Sequence, residues 1–200
     1  MCGIVGYIGT HQAAPVLLDG LAKLEYRGYD SAGIAVYDGE KIRMEKAVGR
    51  LKVLEELTQD GATLPGTVGI GHTRWATHGV PSDLNAHPHF NHDHSIVVVH
   101  NGIIENYLKL KKKLAGKGYE FLSETDTEVI AHMLDYYYKG DPLDAISKVM
   151  HRMEGSYGLG IMFRDHPDEV YAVRCVYPAN PKIKGTTTDT VNTKLSRHCS

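Results

Sequence analysis

A chain of 200 residues, 42% hydrophobic and 23% charged, holds enough apolar material for one ordinary globular domain with its own core. Its formal charge of -2, with no stripe of lysine and arginine interleaved with aromatics, argues against nucleic acid or an anionic membrane surface as partner. No apolar run approaches the ~18 residues of a membrane helix, and the apolar start at 3–9 lacks the basic lead and cleavage site of a secretory signal, so a cytoplasmic chain is expected.

GIVGYIG at 3–9 reads as a first strand, and apolar residues at 13, 14, 17, 18, 21, 22 and 24 mark a helical stripe. Segments 33–37 and 41–47 flank Asp38-Gly39, a pair suited to the positive φ angles of a tight turn, and so predict an antiparallel hairpin. TQDGATLPG at 58–66 is a loop by composition, followed by strands at 67–71 and 95–100. SIVVVH in the second has the continuous apolar character of a buried strand. The polar stretch between them, 72–94, is long for a compact domain and therefore attracts a functional reading. Helices are predicted from Ile104 to Ala115, through Val129, Ile130, Met133, Leu134 and Tyr137, and over about 142–153. Thr125-Asp126-Thr127-Glu128 fits a capping box at the start of the middle one. Two strands, 157–163 and 168–174, close the series, whose order β-α-β-β-α-β-β-α-α-α-β-β contains several hairpin links. Those links argue for antiparallel sheets covered by helices and against a doubly wound parallel sheet.

Residues 175–200 change character: five threonines, no helical stripe and a net charge of +3, leaving -5 for residues 1–174. This segment is expected to be a disordered tail behind a domain spanning 2–174.

Cysteines at 2, 175 and 199 make neither a disulfide framework nor a CxxC zinc pair, so Cys2 is expected to be a free thiol. Once Met1 is removed, Cys2 would carry its own α-amine, with a pKa of ~8, as a base for the thiol. A nucleophile attacking a carbonyl needs donors for the oxyanion, and the side-chain amide of Asn101 beside the Gly102 backbone N–H is such a pair. Asn-Gly is also first of all a turn signal, and turn-only is the stronger reading of the dipeptide alone. In GHTRWATHG at 71–79, Arg74 offers a planar fork for a carboxylate. Asp126 could grip an ammonium, although a carboxylate at a helix N-terminus is favourable anyway. Arg27, Asp30 and Ser31 form a polar turn for which an ion pair is the simple explanation. His87, His89, His92 and His94 invite a metal reading, but without HExxH spacing or a second carboxylate cluster a polar loop is preferred and no metal is assigned.

Together CGIVGYIG, LEYRGYDSAG, GHTRWATHG, NAHPH, VVHNGIIEN and SETDTEVIAH, in order over residues 2 to about 174, resemble the glutaminase domain of the isomerizing glutamine-fructose-6-phosphate aminotransferases. The phosphoribosylpyrophosphate amidotransferases, which share the N-terminal cysteine and the NG pair, are the runner-up. The resemblance implies an α+β fold, the N-terminal-nucleophile hydrolase sandwich of four layers, αββα, with antiparallel sheets. It implies Cys2 as nucleophile toward the glutamine side-chain amide, Asn101 and Gly102 as the oxyanion pair, Arg74 for the substrate carboxylate and Asp126 for its ammonium. It implies Trp75, Thr77 and His78 as a loop closing over glutamine, Arg27 as a brace near the nucleophile, and neither metal nor cofactor. Because the chain departs from the family pattern after Arg174 and lacks the sugar-isomerase portion that receives the ammonia, C-terminal strands are expected to be missing. An open sheet edge would follow, so at most glutaminase activity is expected, with a catalytically inactive truncated fragment as the alternative, and a homodimer or full-length subunits are further candidate partners.

Overall fold

The computed structural model describes residues 2–75, 79–176 and 193–196. Strand β1 (Gly3–Ile8) leads into α1 (Ala13–Ala22) and, after a 3-10 turn at Glu25–Arg27, into the hairpin β2 (Ser31–Tyr37) and β3 (Ile42–Val48). Helix α2 (Leu51–Thr58) and β4 (Val68–Arg74) complete this half. The second half runs β5 (His89–Phe90), β6 (Ile96–Gly102), α3 (Tyr107–Ala115), α4 (Asp126–Tyr137), α5 (Pro142–Met150), β7 (Tyr157–Phe163), β8 (Glu169–Cys175) and β9 (Thr193–Ser196). The halves form two antiparallel sheets of order β1-β4-β2-β3 and β5-β6-β7-β8-β9.

Side-chain alternation along the strands builds the layers. On β2, Ile34 and Val36 pack outward against Leu17, Leu21 and Leu54 of α1 and α2, while Ala35 faces the other sheet. On β6, Ile96 and Val98 pack against Val129, Ile130 and Leu134 of α4, while Val97 and Val99 meet Ile70 and Met162 between the sheets. The αββα sandwich explains why SIVVVH lacks alternation, since both of its faces are covered by protein. Each fully buried Ile, Leu or Val stabilises this arrangement by about 1.5–3 kcal/mol relative to exposure.

Local signals act as read. The Asp38 carboxylate accepts the Glu40 and Lys41 amides at 2.9 and 2.8 Å, and Gly39 takes φ +104 in the β2–β3 turn. Thr125 caps α4 by accepting the Glu128 amide at 3.4 Å. Glu128 does not complete the box on Thr125. Its carboxylate accepts the Leu122 and Ser123 amides at 2.8 and 2.7 Å and the Ser123 hydroxyl at 2.7 Å.

Three expectations differ from the structure. His72, Thr73 and Arg74 belong to strand β4 and are buried, so the polar stretch starts later than composition suggests. Asn101 and Gly102 end strand β6, paired with Gly158 and Tyr157, where the sequence placed a turn. In the segment expected to be a tail, Thr193–Ser196 pairs antiparallel with β8 over Glu169 to Ala172, so at those four positions the edge of β8 is covered. The rest of 177–200 lies outside the described residues.

Candidate active site

Antiparallel pairing of β1 with β4 sets Gly3 opposite Thr73 and brings Cys2, just before β1, to the end of β4. There the Trp75 backbone N–H donates to Cys2 Sγ at 3.2 Å. Partial burial pushes the thiol pKa above its ordinary value of 9.0, and the Trp75 hydrogen bond only partly offsets this. Cys2 is therefore a thiol at neutral pH, and its use as a nucleophile requires a base. Arg74, on β4, is 3% exposed and donates from Nη2 to the Gly79 carbonyl at 3.2 Å. The Trp75 ring is half exposed and meets Tyr29 edge to face, centroids 5.3 Å apart.

The second sheet supplies the facing wall. Asn101 Nδ2 donates to the Cys2 carbonyl at 3.0 Å, and Asn101 Oδ1 lies 2.8 Å from His72 Nε2. Gly102 has φ +126, and a Cβ there would sit 2.2 Å from the Ser156 carbonyl oxygen, so both conformation and space call for glycine. Asp126, in the first turn of α4, is 4% exposed, and its Oδ2 accepts the Ile104 amide at 2.9 Å. That bond fixes the carboxylate, and the 4% exposure means that any ammonium it meets is largely desolvated.

Behind this wall lies a buried histidine cluster. His72 and His87 lie tilted against each other with centroids 4.3 Å apart, and His87 and His89 meet edge to face at 5.0 Å. Thr127 Oγ1 lies 3.1 Å from His87 Nε2 and 3.0 Å from His100 Nδ1, and Thr125 Oγ1 lies 3.1 Å from His89 Nε2. Burial holds His72 down to about 3, and holds His87 and His89 well below the ordinary 6.5, so these rings are neutral. Gly33 makes room for this segment, since a Cβ there would meet the His87 carbonyl oxygen at 2.2 Å. The Lys46 ammonium pins the same segment by donating to the carbonyls of Leu84, Ala86 and Pro88 at 2.8–3.3 Å. His92 and His94 are exposed, apart from buried His87 and His89, and among the described residues no three His, Cys, Asp or Glu are grouped to hold a metal ion.

One open cavity of about 940 Å³ is lined by Cys2, Arg74, Trp75, Asn101, Gly102 and Asp126 together. Six residues separated by up to 124 positions thus meet at the seam of the two sheets. Thr77 and His78 lie outside the described residues, and Arg27 is placed only by its backbone in the 3-10 turn. Sequence reasoning did not single out the amides of Trp75 and Ile104, which act through the backbone, nor His72 and His100, whose partners lie on other elements.

A sequence model described as the glutamine amidotransferase domain matches residues 72–180. Over 174 residues the chain is 61% identical to the glutamine-fructose-6-phosphate aminotransferase (isomerizing) of Caldanaerobacter subterraneus and 58% identical to that of Clostridium tetani. Each match covers 87% of this chain and 28% of the relative, so the chain spans under a third of the length of these proteins. Among solved structures, the B. subtilis glutamine phosphoribosylpyrophosphate amidotransferase superposes with a TM-score of 0.74 at 29% identity, covering 88% of this chain and 37% of that one. A glutamine aminotransferase class-II domain protein from Silicibacter pomeroyi, at 16% identity and TM-score 0.56 over 76% of this chain and 71% of that one, agrees in fold. Two antiparallel sheets between helical layers make the fold that of the N-terminal-nucleophile amidotransferases. The chain belongs to the glutamine amidotransferase family.

Proposed function

We propose that this chain is the glutaminase part of an isomerizing glutamine-fructose-6-phosphate aminotransferase, releasing ammonia from glutamine in the cytoplasm for a sugar-phosphate acceptor bound outside the chain. The convergence of Cys2, Arg74, Asn101, Gly102 and Asp126 on one cavity carries the reading. Identity of 61% to a relative of that name, against 29% to the phosphoribosylpyrophosphate enzyme, favours the sugar-linked member. Removal of Met1 gives Cys2 the α-amine that a protonated thiol requires. The amine takes the thiol proton as sulfur bonds to the side-chain amide carbon, and the oxygen gathers negative charge toward Asn101 and the Gly102 amide. The carbon–nitrogen bond then breaks, the amine passes its proton to the leaving nitrogen, and ammonia departs from a thioester. Water cleaves the thioester to glutamate and restores the thiol. Arg74 and Asp126 hold the two ends of the amino-acid portion, and Trp75, Thr77 and His78 cover the substrate while Arg27 braces the nucleophile. Intact mass should show loss of Met1, and purified chain should release glutamate from glutamine. Activity surviving Cys2→Ala would overturn the mechanism.

A further inference from the structure

A terminal amide is nearly symmetric about its last torsion, so a bare asparagine can present either NH2 or oxygen to a developing oxyanion. Presenting oxygen would place like charges together. Something must therefore hold Asn101 the right way round. At one end its Nδ2 donates to the Cys2 carbonyl at 3.0 Å, which uses one of the two amide hydrogens. At the other, Oδ1 meets His72 Nε2 at 2.8 Å. An amide oxygen only accepts, so His72 must present Nε2–H there.

We propose that His72 is a positioning residue for the oxyanion donor: its Nε2–H locks Oδ1 of Asn101 away from the cavity, leaving the second amide hydrogen of Nδ2 free to meet the oxyanion. The proposal rests on the glutaminase reading. Two observations support it. His72 is fully buried on β4, in the sheet opposite Asn101, so water cannot substitute for its donor. Close contact with the tilted His87 ring, centroids 4.3 Å apart at 32°, restrains the imidazole plane.

The test uses the whole chain and begins with a readout independent of turnover. Nitrogen-15 NMR of the imidazoles should show His72 as the Nε2–H tautomer between pH 5 and 8, and finding Nδ1–H or a doubly protonated ring would overturn the proposal. In turnover, His72→Leu should lower kcat by roughly 10- to 100-fold, below the ~10²–10³ of losing an oxyanion donor outright, with KM for glutamine within about twofold. His72→Gln, which can carry an Nε donor to a similar reach, should recover most of that loss. On an Asn101→Ala background His72→Leu should have little further effect, since both changes remove the same function. A folded His72→Leu protein with kcat within about twofold of the parent, or equal losses with and without Asn101, would sink the positioning role. If the parent chain releases no glutamate, or Cys2→Ala retains activity, it is the glutaminase reading that fails, and the NMR result still decides the tautomer.

Discussion

Acid is the most searching perturbation for this architecture, because three buried histidines stand neutral in its centre. His72, His87 and His89 have folded-state pKa values well below the ordinary 6.5, with burial as the leading cause. Below 6.5 the unfolded chain takes up protons that the folded chain does not, so stability falls with falling pH. Each such histidine loses about 1.4 kcal/mol per pH unit, or about 2 kcal/mol by pH 5, and three together lose about 6. That is comparable with a total stability on the order of 5–15 kcal/mol. Glu128 acts in a separate window. Burial raises its pKa, but His132, the Leu122 and Ser123 amides and the Ser123 hydroxyl outweigh that and hold it down to about 2, so its contribution is present above 4.5 and fades only below. Between pH 6.5 and 4.5 the slope therefore belongs to the histidines. Urea unfolding at intervals from pH 7.5 to 5 should show an uptake approaching three protons on unfolding at the acid end, and His89→Gln should lower that number by about one. An uptake below one proton in the parent would refute the buried, neutral cluster.

Asp126→Asn should raise KM for glutamine by about 10- to 100-fold, the worth of a charge-assisted bond, while sparing stability, because its side-chain oxygen can still accept the Ile104 amide. Asp126→Ala should add a loss of about 1–3 kcal/mol in urea melts from the orphaned amide, and a KM unchanged in Asp126→Asn would remove Asp126 from substrate binding. Gly102→Ala, forced into φ +126 and against the Ser156 carbonyl, should lower Tm by about 2 to 12 °C in calorimetry. An unaltered melt would count against the close approach of β6 to Ser156. Alkylation of Cys2 by iodoacetamide should still be accelerating at pH 9.0, since burial raises the thiol pKa beyond that value. A plateau near pH 8 would contradict it.

What the sequence makes legible follows from where each signal acts. Hairpin turns, the Thr125 cap and the apolar helix stripes work within a few residues, and the structure has them where the sequence puts them. GHTRWATHG hides its first half. His72, Thr73 and Arg74 read as loop because they are polar, yet they lie in a buried strand, and for His72 the acceptor that makes this possible is 29 residues away on the other sheet. Periodicity cannot report a partner at that distance. The histidines of NAHPHFNHDH are polar in sequence but divide in space, two into the interior and two toward solvent, which composition alone does not separate. Cys2, Arg74, Asn101 and Asp126 are each weak signals alone; the order of their motifs joins them in the sequence, and one cavity joins them in space.

Strand β1 is an edge strand of its sheet, and the end of β6 that carries Asn101 belongs to the other. Between the two sheets lies a thin apolar layer of Ala35, Ile70, Val97, Val99, Met162 and Val170. Its thickness sets how far Cys2 stands from Asn101 and Gly102, in the way a shim sets the gap between two jaws. In enzymes at large a misplacement of about 1 Å can lower the rate ~10²-fold, which is less than the length of one methylene. The tolerance of the proposed reaction is therefore machined by side chains that never meet glutamine, and a conservative exchange such as Val for Ile in this layer is a change of calibre.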